Sequence, residues 1–297
     1  MNPIFEKEPL CFESPEKSVW KYVFHFKNAI AEAVLYRYNS FNERTVLCIS
    51  VSSGCSVGCQ FCGTGSKFIR HLTLEEISEQ VDYILNDKNI CHLDVDKFQL
   101  MFMSMGEPFL NYENVKSAII DLNDRYPFAE LLISTITPRC EKELKDFLQL
   151  SYDINEIGLQ FSIHESEEWK RNILIPYKNK LTLAEIRDYG VQWWKETGRR
   201  PYLNYCVKDE NSTALDFLNL RNMFPPNVFC FTFSVICSKE ETMKEAGYRN
   251  LENIRRFEKL FIDEGYDTRV FNPEAQDSIG GGCGQLFYVQ KYMKERL

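Results

Sequence analysis

Within Gly54-Cys55-Ser56-Val57-Gly58-Cys59-Gln60-Phe61-Cys62-Gly63, three cysteines fall at the spacing C-x3-C-x2-C. Thiolates on so short a loop can grip one metal centre together, and the glycines let the backbone curl around it. A structural zinc site is the plainest reading. Zinc, however, is normally closed by four ligands, commonly as two separated Cys pairs, and the sequence offers no second pair. Three ligands suggest an open position, and an iron-sulfur cluster held by three cysteines keeps one iron for an outside ligand. A carboxylate follows downstream in Gly106-Glu107-Pro108. Taken alone, that tripeptide is usually just a turn.

The elements that must position these groups alternate short apolar runs with helical periodicity from Thr45 onward. That alternation is the signature of parallel βα units. Expected strands are 46–51, 98–103, 131–135, 158–163, 203–207 and 229–236, with 269–271 as a short last one. Thr73-Leu74-Glu75-Glu76 and Thr182-Leu183-Ala184-Glu185 read as capping boxes, and Asn111 as a helix cap. Before this region, residues 19–37 alternate apolar and polar with a turn at Lys27-Asn28, a β-hairpin pattern. The first ten residues read as loose. The expectation is an α/β fold, a partial (β/α)6 TIM-like barrel over 45–297, with an N-terminal extension and hairpin over 1–44. Each candidate site then lies just after a strand, where parallel barrels place their chemistry.

The chain has 297 residues, 44% of them hydrophobic, enough for a substantial core. No leader pattern opens it, and no apolar run approaches the ~20 residues that span a bilayer, so a cytoplasmic protein without membrane contact is expected. In a reducing compartment its eleven cysteines read as thiols and ligands rather than disulfides. A net charge of -8 argues against general attraction to nucleic acid but leaves room for a local basic patch.

The three-cysteine loop, with an aromatic before its last cysteine, resembles the signature of radical S-adenosylmethionine (SAM) enzymes. Leu47-Cys48-Ile49-Ser50, Gly63-Thr64-Gly65, Met103 to Asn111, Ser162-Ile163-His164 and Cys283-Gly284-Gln285-Leu286 narrow it. Together they resemble the RlmN and Cfr family of RNA adenosine methyltransferases, from about Glu32 to Leu286. The resemblance implies a 4Fe-4S cluster on Cys55, Cys59 and Cys62. It implies SAM contacts at Gly106, Glu107, Ser134, Ser162, Ile163 and His164. It makes Cys283 a methyl carrier, Cys48 the thiol that resolves the protein-RNA adduct, and Glu32 a proton acceptor near the base. It also implies a one-electron reductase such as flavodoxin or ferredoxin, and the enzyme is expected to be a monomer.

Chemistry suits those roles. A ring carbon such as adenine C2 or C8 is electrophilic, so ordinary methyl transfer from a sulfonium fails there and radical delivery avoids the problem. Cys283 on a glycine-rich loop could swing between SAM and substrate, and Cys48, seven residues before Cys55, could converge with it at the barrel mouth. Read without the family, Cys48 is as well a small core residue, Cys283 a loop thiol and His164 a satisfied strand-end histidine.

Three departures bear on the substrate. Fewer than twenty residues precede the hairpin, leaving no room for the family's helical N-terminal RNA-binding domain. The family's SAM-contacting asparagine after strand six is absent from Phe233-Ser234-Val235-Ile236-Cys237, and its Arg-Gly segment is replaced by Glu274-Ala275-Gln276-Asp277. Positive charge remains at Lys67 to Arg70, Lys170-Arg171, Lys178 to Lys180 and Arg199-Arg200, though such residues are commonly solvated surface. An RNA adenosine C-methyltransferase therefore stands beside a radical SAM enzyme acting on a free nucleotide, DNA or another small substrate. A catalytically silent cluster protein is disfavoured by the presence of all five matched cysteines.

Overall fold

The computed structural model describes residues 4–65, 67–235, 251–271, 279–281 and 286. Three antiparallel strands open the chain: β1 (Phe5–Glu13), β2 (Val19–Phe26) and β3 (Ala29–Arg37). The hairpin over 19–37 is as expected, but the residues before it form a strand rather than a loose end. β1 is an edge strand, exposed along most of its length.

β4 (Arg44–Ile49) pairs antiparallel with β3 on one side and begins the parallel sheet on the other. A small excursion follows, with β5 (Ser52–Gly54) paired antiparallel to β6 (Phe68–His71). The chain then runs α1 (Leu74–Asp87), β7 (Lys97–Phe102), α2 (Tyr112–Arg125), β8 (Glu130–Thr135) and α3 (Glu141–Asp153). It continues through β9 (Ile157–Ser162), a short α4 (Glu168–Leu174), α5 (Leu183–Thr197), β10 (Tyr202–Val207) and α6 (Ala214–Met223). Last come β11 (Cys230–Val235), α7 (Leu251–Asp263) and β12 (Thr268–Phe271).

The main sheet has ten strands in the order β1-β2-β3-β4-β7-β8-β9-β10-β11-β12. From β4 to β12 every pairing is parallel, the partial barrel that the alternation implied. Helices cover its outer face because each presents one apolar stripe; on α1 this is Ile77, Val81, Ile84 and Leu85, all buried. Both expected capping boxes form, Thr73 with Glu76 and Thr182 with Glu185. Asn111 does something else. Its Nδ2 donates to the carbonyls of Val51 (2.7 Å) and Leu72 (2.9 Å), tying the β5–β6 excursion to the barrel instead of capping α2.

β2 and β3 are buried on both faces because each face has its own partner. Trp20, Tyr22, Phe24 and Phe26 join the main core on the helical side. Val23, Val34 and Tyr36 point the other way, into a second cluster with Cys48, Met105, Ile279 and Leu286. Tyr36 of β3 also meets Phe271 of β12 edge-on, ring centroids 6.4 Å apart. That contact links the two flanks of the parallel sheet across the barrel's open side.

Candidate active site

A cavity of about 410 Å³ fills the barrel and opens along it. Cys55, Cys59 and Cys62 line it, together with Cys48, Gly106, Glu107, Ser134, Ser162 and His164. The sequence-predicted residues thus converge on one space, at the C-terminal ends of β4, β7, β8 and β9. Two differ. Ile163 packs into the core and is not among the residues lining the cavity. Glu32 is fully buried on β3, 3.5 Å from Lys21 Nζ, and is not among the residues lining the cavity. Cys283 lies outside the described residues, but Gly281 and Leu286 on either side of it both line the cavity.

The cysteine loop is shaped by backbone rather than by its thiols. The Cys55 amide donates to the Lys67 carbonyl (2.8 Å), closing the excursion, and the Gln60 amide donates to the Leu174 carbonyl (3.0 Å) at the end of α4. Gly54 sits at φ +77°, and a Cβ there would run into the Lys67 carbonyl. Burial pushes the Cys55 thiol up to about 12, and the charges of Cys62 and Glu107 push the same way. A bound cation reverses that, since a coordinating thiol is held as thiolate. Among the described residues no three His, Cys, Asp or Glu side chains gather tightly enough to hold a single metal ion. Three thiols of one loop that line a shared cavity suit a cluster with one open corner. Arg171, fully buried beneath the loop, donates to the carbonyls of Leu181 (2.7 Å) and Ile136 (2.9 Å) and lends positive charge next to Cys59.

Glu107 is buried and heavily hydrogen-bonded. Its Oε1 accepts from Thr135 Oγ1 (2.5 Å) and the Phe109 amide (3.2 Å), its Oε2 from the Ile136 amide (2.9 Å). Gly106 before it adopts φ +100°, and a Cβ there would press within 2.8 Å of Ser52. Burial raises the Glu107 carboxyl to about 7, the hydrogen bonds opposing it. Such a carboxyl is half protonated near neutrality and becomes a full anion only as pH rises. The family resemblance implies that Glu107 receives the SAM ammonium; such a pairing selects the anion, and SAM affinity is then expected to fall by about tenfold for each pH unit below 7. Glu107→Gln should bind weakly and lose the dependence. Calorimetric titration on the cluster-loaded protein checks this, and a flat wild-type profile below neutrality would remove Glu107 from the SAM contacts.

His164 has φ +58° and is buried, with Nδ1 accepting from the Cys206 amide (3.3 Å) and its ring edge-on to Phe61 of the cysteine loop at 5.1 Å. Burial, reinforced by Arg171 and Lys208, lowers it to about 3, so the ring is neutral with its proton on Nε2. Ser134 and Ser162 stand 3.3 Å apart between their hydroxyls, and Gln160 Nε2 donates to Ser134 Oγ at 3.1 Å.

Several cavity residues were not singled out from the sequence: Gln160, Asn204, Thr232, Met101 and Arg269. The signal was the strand period. Asn204 stands between fully buried Leu203 and Tyr205, and a polar residue on the second face of a parallel strand points into the barrel. Most of the noted basic stretches are engaged elsewhere: Arg70 with Glu76, Lys170 with Glu167, Lys180 with Asn172, and Arg200 with Asp267.

A parallel half-barrel with a thiol-bearing loop at its C-terminal mouth and a buried acid beside it defines a class of enzyme that works through a bound metallocluster. The family model described as the radical SAM superfamily matches residues 49–197. A relative from Heliobacterium modesticaldum, named a probable dual-specificity RNA methyltransferase RlmN, is 27% identical over 292 residues, covering 95% of this chain and 72% of that protein. The dual-specificity RNA methyltransferase RlmN of Buchnera aphidicola is 28% identical, covering 93% and 75%. A solved radical SAM methyltransferase from Sphaerobacter thermophilus superposes with a TM-score of 0.82 at 23% identity, over 95% of this chain and 82% of that one. The chain belongs to the radical SAM superfamily, and its cofactors are a 4Fe-4S cluster and SAM. Within the superfamily it is a methyltransferase of the RlmN/Cfr-like kind.

Proposed function

We propose that the chain methylates an adenine ring carbon in RNA through a methylated cysteine, with Cys283 carrying the methyl group and Cys48 releasing the product. The observation that supports this most is the place of Cys48. It lines the same cavity as the cysteine loop and as Gly281 and Leu286, the residues that bracket Cys283 in the chain, and it packs in one apolar cluster with Leu286. Cys55, Cys59 and Cys62 would hold the cluster, which would supply the one electron that reductive cleavage of SAM to a 5'-deoxyadenosyl radical requires.

The remaining work falls to side chains. Glu107, with the Ser134 and Ser162 hydroxyls and neutral His164, holds and orients SAM; a neutral histidine adds no second positive charge beside the sulfonium. Cys48 is the thiol that resolves the covalent protein-RNA adduct by pairing with Cys283, and that disulfide must be reduced before the next turnover. Glu32, held by Lys21, takes the proton only if substrate binding opens the β3 wall. RNA as substrate follows the relatives, both named RNA methyltransferases. A one-electron donor such as flavodoxin or ferredoxin and a monomeric enzyme complete the reading. Among the described residues no helix is long and apolar enough to cross a membrane.

A free nucleotide is the second reading, favoured by the engagement of the surface basic pairs described above. Mass spectrometry of nucleosides from bulk RNA, with and without the protein, is expected to show a methyladenosine that depends on it. Unchanged RNA alongside undiminished SAM cleavage would exclude RNA and leave the small substrate. Salt separates the two as well, because binding to polyphosphate weakens steeply with ionic strength.

A further inference from the structure

The end of the cavity away from the cysteine loop is lined by Arg44 and Arg269. Neither guanidinium forms a salt bridge with a carboxylate among the described residues, and both are half-buried. Each is instead fixed by neutral groups. Arg44 donates through Nε and Nη2 to Gln99 Oε1 (2.9 and 2.7 Å) and lies over the Tyr38 ring at 4.1 Å. Arg269 donates through Nε to Thr232 Oγ1 (2.7 Å) and through Nη2 to Gln160 Oε1 (3.1 Å), and lies over the Tyr202 ring at 4.1 Å. The neighbouring carboxylate, Glu130, is taken by Gln99 Nε2 (2.5 Å) and Lys97 (3.5 Å). That leaves Nη1 of both arginines without an acceptor among the described residues.

Two half-buried cations that line one cavity repel each other, and desolvating them in part without an anion is costly. Burial holds the Arg269 guanidinium below its ordinary value; Tyr202, Cys230 and Glu130 oppose this, and the Arg44 charge adds to it. A stacked guanidinium keeps its remaining N–H edge free and its plane fixed, the arrangement that suits two-point recognition of phosphate.

We propose that Arg44 and Arg269 form a phosphate subsite that holds the 5' phosphate of the substrate nucleotide while its base reaches the cysteine loop. The inference rests on the nucleotide reading of the function. Arg44 and Cys48 are separated by four residues of one strand, about 13 Å at some 3.3 Å per residue. That span accommodates a nucleotide with its phosphate, whereas a free base leaves one end empty. Tyr38 is 39% exposed, so this end of the cavity is open to solvent. An extruded nucleotide enters here with its backbone toward the arginines. The Gln160 amide also connects the subsite to the SAM side, since it accepts from Arg269 and donates to Ser134.

The test compares AMP with adenosine by calorimetry on the cluster-loaded protein with SAM present. AMP is expected to bind about tenfold more tightly, a preference that the Arg44→Gln, Arg269→Gln double variant loses and that Arg→Lys replacements keep in part. A dinucleotide whose linkage 5' to the adenosine is either a phosphate or a neutral methylphosphonate separates an RNA backbone from a free nucleotide as the source. Inorganic phosphate, followed by 31P line broadening in wild type and double variant, reads the subsite without any base. If adenosine does not bind and RNA is not methylated, the proposed function fails, yet broadening confined to wild type still upholds the subsite. Equal affinity of wild type for AMP and adenosine overturns the proposal. So does phosphate broadening that survives the double substitution. Iron content and thermal melting identify a misfolded variant, in which case the wild-type preferences and the Lys replacements decide.

Discussion

Protein in which Cys55, Cys59 and Cys62 are all replaced by alanine is expected to bind no iron and to yield no 5'-deoxyadenosine above background. The reconstituted, reduced wild type should hold about four irons and cleave SAM. Each single alanine should behave nearly as the triple, because two thiolates cannot retain a cluster that already leaves one iron open. The loop should survive the substitutions. Its shape depends on the Cys55 amide at the Lys67 carbonyl and the Gln60 amide at the Leu174 carbonyl, neither of which involves sulfur, so an unchanged melting temperature separates loss of the cluster from loss of the fold. SAM cleavage by the triple variant would reject the assignment of these cysteines.

The second large effect concerns the other two matched thiols, which should fail in different ways. On the proposed mechanism Cys283→Ala lacks the methyl carrier, so its product should drop to background, and wild-type protein isolated from cells should carry a methyl group on the peptide containing Cys283. Cys48→Ala should allow methylation of Cys283 and attack on the base, then stall. Without the thiol that forms the releasing disulfide, the protein should remain covalently joined to its substrate. Digestion of that adduct would identify the trapped partner as RNA or a small nucleotide. Full turnover by Cys283→Ala, together with an unmodified Cys283 in active enzyme, would reject the methyl-carrier mechanism.

Much of the barrel was legible because its strands carry short apolar runs such as Leu131 to Ile133, whose outer-face residues are buried under amphipathic helices. β1 was not legible for the opposite reason. As an exposed edge strand it carries the consecutive charged residues Glu6, Lys7 and Glu8 near its start and shows no regular apolar alternation. The cysteines and Glu107 could be read from local spacing, since each sits in a short motif. Arg269, Gln160 and Thr232 could not, because they come from three strands and acquire a common purpose only when the sheet curves round to face them inward. Asn111 shows a subtler limit: its place before α2 suggested a cap, but its side-chain amide donates instead to the carbonyls of Val51 and Leu72 at the two ends of the cysteine-loop excursion. Glu32 shows another, since burial beside Lys21 is set by pairing across β2 and β3, which no local motif records.

The edge-on contact of Tyr36 with Phe271 has a consequence for how the molecule is made. These rings are far apart in the chain, so their contact closes a very long loop and carries a corresponding entropic cost and delay. Synthesis proceeds from the N-terminus, and β4 with the cysteine loop emerges long before β12 exists to face β3. The reaction chamber is therefore walled on one side first and sealed last. The wall that Tyr36 and Phe271 complete is among the last parts of the chamber that synthesis can supply.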